Sequence, residues 1–156
     1  MTNLPTSVLD TARRAADAAA DVHEKLAASA GIADAREKGR ADYVSATDLA
    51  AQEACVAVIR ESHPHHTIVA EESHDADPDA TPQVGPAWII DPLDGTTNFL
   101  HGHPMYASSV AFAMGGIPTV GAVSCAPTGE CWWAARGEGA WKNGVRIEVS
   151  KVEGTR

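Results

Sequence analysis

An α+β fold, with two N-terminal helices packed on a largely antiparallel sheet, is predicted by three features of the sequence. Apolar residues recur at helical spacing only before Pro64; the later apolar segments are short and extended; glycine- and proline-bearing turns join them. Strands that follow one another through hairpins argue against alternating βαβ units. No repeat or internal linker divides the 156 residues, so a single domain with its own core is expected.

The first helix is expected from Pro5 to about Ala30. Thr6 or Ser7 can cap it, Gly31 ends it, and Val8, Ala12, Ala15, Ala16, Ala19, Val22 and Leu26 share one face. A polar stretch, Ala35 to Asp42, leads into Tyr43-Val44-Ser45. The second helix is expected to begin near Ser45 or Thr47 and to bury Leu49, Val56 and Ile59. It stops near His63-Pro64, where proline lacks the amide that would continue the ladder.

Beyond that point the pattern is extended. Thr67 to Ala70 reads as a short strand ending at Glu71-Glu72, and residues 73–86 as a polar, proline-rich loop. Ala87 to Ile90 is continuously apolar and delivers Asp91 at its carboxyl end. Tyr106–Met114 and Ile117–Cys125 form a hairpin through Gly115-Gly116. Pro127-Thr128-Gly129 turns the chain into Cys131–Ala135, and a last hairpin, Ala140–Lys142 with Val145–Ile147, turns at Asn143-Gly144.

Composition narrows the function. Hydrophobic residues make up 44% and charged residues 21%, ordinary for a globular protein. Against 21 acidic side chains stand 12 basic ones, a formal charge of -9 with no basic run, which disfavours nucleic acid as a partner. An anionic substrate would then need local positive charge, for which a divalent cation serves; solubility alone also explains the acid excess. Cys55, Cys125 and Cys131 are too few and scattered for a disulfide framework, and their odd number suits reduced thiols in the cytoplasm. Cys125 and Cys131 flank a turn, where packing accounts for both. The N-terminus lacks the apolar centre of a signal peptide, and no apolar run reaches membrane-spanning length, so a soluble cytoplasmic protein without a membrane partner is expected.

The chemistry concentrates in Trp88-Ile89-Ile90-Asp91-Pro92-Leu93-Asp94-Gly95-Thr96-Thr97-Asn98-Phe99. Two aspartates follow a buried strand and flank a proline, whose fixed backbone can aim both carboxylates at one point. Gly95 permits close backbone approach, and Thr96-Thr97 opens a short helix whose first amides suit a phosphate. Carboxylate oxygens favour magnesium, manganese or calcium over soft metals. The plainer alternative is that Asp91 and Asp94 only cap the turn and helix.

The stretch Asp91 to Phe99 resembles the metal-binding signature of the inositol monophosphatase family. Val69-Ala70-Glu71-Glu72-Ser73 resembles that family's paired-glutamate motif, and Lys38 to Asp48 its segment entering the second helix. Gly121-Ala122-Val123, Gly137 to Trp141 and Asn143-Gly144 also fit, in the same order. The resemblance implies the first half of an αβαβα layered sugar-phosphatase fold. It also implies magnesium-dependent hydrolysis of inositol monophosphate or a similar small polyol phosphate, with histidinol phosphate and other sugar phosphates as alternatives. Two or three Mg2+ ions, or Mn2+ in their place, would be held by Glu71, Asp91, Asp94 and the Leu93 carbonyl. Thr96 and Asp48 would activate the attacking water together with Glu71, and Glu72 would support this shell. The amides of Gly95 and Thr96, with Thr97, would hold the phosphate, and Lys38 would lie near it or near a weaker metal site. A homodimer is expected.

That chemistry has a physical rationale. Phosphate-monoester hydrolysis is slow enough uncatalysed to leave room for accelerations on the order of 10²¹-fold. Metals about 3.5–4 Å apart screen the dianion and the leaving oxygen. Thr96 is no base alone but relays a proton through Asp48. Family members continue past this length, with a further metal-binding aspartate in a Trp-Asp motif that residues 1 to 156 lack. A truncated chain with weak or absent activity is therefore expected, as is an exposed sheet edge inviting self-association.

Two rivals stand beside this reading. An aspartyl-phosphate phosphatase of the haloacid dehalogenase type needs aspartates two residues apart on a doubly wound sheet, whereas here the spacing is three. A non-catalytic metal-binding or dimerisation module is the other. His63, His65 and His66 fit a solvated helix end better than a transition-metal site. His101 and His103 fit loop packing or substrate access, and Trp132, Trp133 and Trp141 fit core or interface packing.

Overall fold

The computed structural model describes residues 6–28, 36–39, 42–44, 46–71 and 85–152. Helix α1 (Thr6–Leu26) buries Val8, Ala12, Ala15, Ala16 and Ala19, as its spacing predicts, while Val22 and Leu26 stay half-buried. The residues proposed to end it, Ala30 and Gly31, lie outside the described residues. Small side chains let α1 approach closely, and hydrogen bonds then use its carbonyls. Ser108 Oγ donates to the Ala16 carbonyl at 2.7 Å and Cys55 Sγ to that of Ala15 at 3.1 Å. The Ser124 hydroxyl donates to Asp17 Oδ1 at 2.9 Å.

Strands β1 (Arg36–Gly39) and β2 (Asp42–Val44) make a small antiparallel ribbon within the stretch read as merely polar. Helix α2 (Ala46–Ser62) corrects one expectation. Its buried residues are Thr47, Asp48, Ala51, Cys55 and Ile59, whereas Leu49 is 49% exposed and Val56 half-buried. The stripe that meets α1 is small and partly polar, so hydrophobicity alone misidentifies it. Leu49 falls on the opposite side of the helix.

A seven-stranded sheet follows, in spatial order β3-β4-β5-β6-β7-β8-β9. Its strands are β3 (Thr67–Ala70), β4 (Pro86–Asp94), β5 (Ala107–Met114), β6 (Ile117–Cys125), β7 (Glu130–Ala135), β8 (Gly139–Lys142) and β9 (Val145–Ile147). Every neighbouring pair is antiparallel except β3–β4, which is parallel. The fold is therefore the predicted α+β type, and a doubly wound sheet is excluded. At the last hairpin both turn residues have positive φ, 49° for Asn143 and 82° for Gly144, the backbone that a type I′ turn requires.

Helices α1 and α2 cover one face of the sheet, where Trp88, Val110, Phe112, Val120 and Ala122 complete the core. Across the other face runs a register row: Val69, Ile89, Ala111, Gly121, Ala134, Ala140 and Ile147. Within it Val69 and Ile89 are each 44% exposed.

The histidines after α2 are only partly solvated, and among the described residues they form no metal-holding cluster. His65 is exposed, but the His63 ring stacks on His66 with centroids 4.6 Å apart. The buried Trp88 donates its indole N–H to His66 Nδ1 at 3.1 Å. Desolvation, then the neighbouring His63, Arg60 and His65, lowers the His66 pKa, in keeping with a neutral acceptor. The strand tryptophans pack under cations, Arg13 lying 4.0 Å from the Trp133 ring centre. Cys55, Cys125 and Cys131 are free thiols. No helix among the described residues is long and apolar enough to cross a membrane.

Candidate active site

The site forms where β3 and β4 end. Their parallel register pairs Ala70 with Ile90, and the Glu71 amide donates to the Ile90 carbonyl at 3.1 Å. Glu71 and Asp91 therefore leave adjacent strands at the same level. Strand β4 does not stop at Ile90, as its apolar run suggests, but continues to Asp94 through an irregularity.

Glu71, Asp91, Leu93, Asp94, Gly95, Thr96 and Thr97 line one cleft of about 220 Å³. Helix α3 (Thr96–Leu100) begins at its wall, after Gly95 at φ 89° and ψ 34°, a left-handed conformation that glycine adopts without steric cost. The Phe99 amide closes the first helical turn onto the Gly95 carbonyl at 3.0 Å. The amides ahead of it in that turn have no partner within the helix.

Electrostatics sets this cleft apart. Burial raises the Asp91 carboxyl to about 7, reinforced by the charges of Glu71 and Asp94 and by a hydrogen bond with Glu71. Asp91 Oδ1 is buried and has no hydrogen-bond partner. Among the described residues, no three His, Cys, Asp or Glu side chains stand in ready ligand geometry. A hard cation there would satisfy the orphaned Asp91 oxygen and offset the repulsion among the three carboxylates, and the all-oxygen donor set suits magnesium or manganese.

Asp48 stands behind the wall. It is buried, and Thr96 Oγ1 lies 2.8 Å from its Oδ1 and 3.0 Å from the Leu93 carbonyl. One hydroxyl proton faces two acceptors, so the Thr96 lone pairs remain turned away from both. Lys38 belongs to β1, but its side chain lies outside the described residues, as does Glu72. His101 donates from Nδ1 to the Thr97 carbonyl at 2.7 Å, a loop-packing role, and His103 is exposed.

The sequence profile of the inositol monophosphatase family matches residues 4–156. The chain belongs to the inositol monophosphatase family. It is 38% identical over 143 residues to Nus factor SuhB of Escherichia coli K12, covering 92% of this chain and 52% of that protein. With human inositol monophosphatase 1 it shares 38% identity over 112 residues, 72% of this chain and 40% of the relative. Among solved structures, an inositol monophosphatase of Thermotoga maritima superposes with a TM-score of 0.82 at 31% identity, over 94% of this chain and 55% of that one. The chain thus spans about half the length of the curated relatives it matches. The family is metal-dependent and of phosphatase type.

His23 escaped the sequence reading. It is fully buried, and Nε2 lies 2.9 Å from the Pro92 carbonyl. The available signal was its place on the alanine face of α1, four residues beyond Ala19 and eleven beyond Ala12, where a histidine interrupts an apolar stripe.

Proposed function

We propose that this chain carries the cation- and phosphate-binding part of a magnesium-dependent hydrolase acting on a small phosphate monoester, inositol monophosphate or a similar polyol phosphate. The observation that carries the reading is the convergence of Glu71, Asp91 and Asp94 on one cleft with Gly95, Thr96 and Thr97. Glu71, Asp91, Asp94 and the Leu93 carbonyl hold two or three Mg2+ ions, with Mn2+ as a substitute. Bound there, such ions supply charge neutralisation of the phosphate and acidification of water.

The chain's own groups do the rest. Thr96 passes its proton toward Asp48, along the 2.8 Å contact, and orients a water with its lone pairs. The amides of Gly95, Thr96 and Thr97 orient the phosphate oxygens. The low exposure of Asp48 and the half-burial of Asp91 strengthen each of these interactions relative to water.

The half-length span favours one further reading, a cation-binding module whose hydrolysis needs residues from the part of the relatives that this chain does not span. Both readings are tested by titrating Mg2+ into wild type and Asp91→Asn, with phosphate release from inositol monophosphate measured in parallel. The hydrolase reading expects ion binding lost in the variant and slow, Mg2+-dependent release in wild type. Binding without release leaves the module; no binding at millimolar Mg2+ overturns both. Turnover at the rate of a full-length enzyme would refute the expected weakness of the isolated chain.

A further inference from the structure

Asp91 and Asp94 are three residues apart on one strand, a spacing that directs side chains to opposite faces of a regular sheet. Both nevertheless line the same cleft. The register explains this. Strand β4 pairs with β5 residue for residue from Pro86↔Met114 to Asp91↔Ser109, then resumes at Asp94↔Ala107. Three steps on β4 oppose two on β5, which is a β-bulge of one extra residue.

A bulge leaves backbone groups without ladder partners, and here it is buried. Pro92 has no N–H, its side chain is fully buried, and its carbonyl still needs a donor. His23 provides it from α1, with Nε2 at 2.9 Å. Since a carbonyl only accepts, the proton of the ring sits on Nε2. Nδ1 is buried without a partner, and burial lowers the ring's pKa, opposed by the Pro92 carbonyl and by Asp48. The ring is also clamped sideways. Phe99 and Tyr106 stand 6.2 and 5.8 Å from its centroid, and they meet each other edge-to-face at 5.0 Å.

We propose that His23 is a positioning residue of the cation site: its hydrogen bond to the Pro92 carbonyl fixes the bulge that turns Asp91 and Asp94 toward one point. The inference rests on the reading of the cleft as a cation site. It assigns to α1, on the far side of the ligand loop, the outer partner that ligating groups commonly require.

Glutamine and phenylalanine separate this role from mere packing. In His23→Gln the side-chain amide nitrogen superposes on Nε2 and keeps the donor while losing the ring. In His23→Phe the ring stays and the donor is lost. Mn2+ affinity of the full chain, read by electron paramagnetic resonance alongside the melting temperature, is the measurement. Glutamine is expected to bind close to wild type, and phenylalanine about tenfold or more weaker. If phenylalanine binds like wild type, or if affinity simply follows melting temperature in both variants, His23 is only a core residue and the proposal falls.

Should the phenylalanine chain fail to fold, His23→Asn takes its place, since its shorter amide mimics Nδ1 and does not reach Pro92. Asparagine binding as well as glutamine overturns the proposal; asparagine weaker than glutamine supports it. A wild type that binds no Mn2+ refutes the cation site itself. In that event the metal-free chain still reports on the hydrogen bond: a histidine ring protonated at Nδ1 in nitrogen-15 NMR spectra, absent in His23→Gln, rules it out.

Discussion

Replacing Gly95 by alanine tests whether the turn between Asp94 and α3 is built as described. Two penalties arise. The left-handed backbone at φ 89° and ψ 34° costs an alanine about 1–2 kcal/mol. The new Cβ would also lie 2.8 Å from the Met105 carbonyl oxygen and 3.3 Å from both Cα and Cβ of Tyr106. None of these atoms moves by a side-chain rotation, so relief requires backbone shifts of the overpacking kind, about 1–3 kcal/mol. The sum is about 2–5 kcal/mol, or about 4–20 °C in melting temperature for a chain of this size. Gly129→Ala is the control, because φ is 62° there and nothing lies within 4 Å of the added atom. It should lose only the conformational part. Chemical denaturation of both variants, with Mn2+ titration, makes the comparison. Gly95→Ala should be the less stable by about 1–3 kcal/mol and should alone lose ion affinity. Equal destabilisation would refute the crowding at Met105 and Tyr106.

Three further outcomes are expected. Asp91 binds its proton more tightly when folded than at its ordinary 3.8, so its contribution favours folding at low pH and is lost as pH rises to about 7. In chelator, wild type should therefore lose more stability between pH 4 and pH 7 than Asp91→Asn, and Mg2+ should remove the difference; parallel profiles would count against the carboxylate cluster. Ile89 is 44% exposed on the apolar register row, so Ile89→Lys should reduce concentration-dependent self-association in light scattering with little change in stability. Trp88→Phe replaces a buried indole by a smaller ring and removes the donor to His66, and should cost about 2–4 kcal/mol in denaturation.

By itself the sequence determined the α1 stripe of small residues, the β5–β6 hairpin at Gly115-Gly116 and the type I′ turn at Asn143-Gly144. Those are local: helical period, glycine conformation and strand alternation act within a few residues. It also determined which oxygen donors exist, since Asp91-Pro92-Leu93-Asp94-Gly95-Thr96 is contiguous. Only the tertiary structure decided that Glu71 stands beside Asp91, because parallel pairing of β3 with β4 joins segments that are not adjacent in the sequence. Burial of Leu49 was misjudged for the same reason, since α2's inward face is chosen by what α1 offers and not by hydrophobicity. The bulge between Asp91 and Asp94 is a matter of register with β5, and its buried carbonyl is answered by a histidine 69 residues earlier. Contacts of that range are selected by chain topology and by the need to pair every buried polar group, neither of which leaves a local pattern in the sequence.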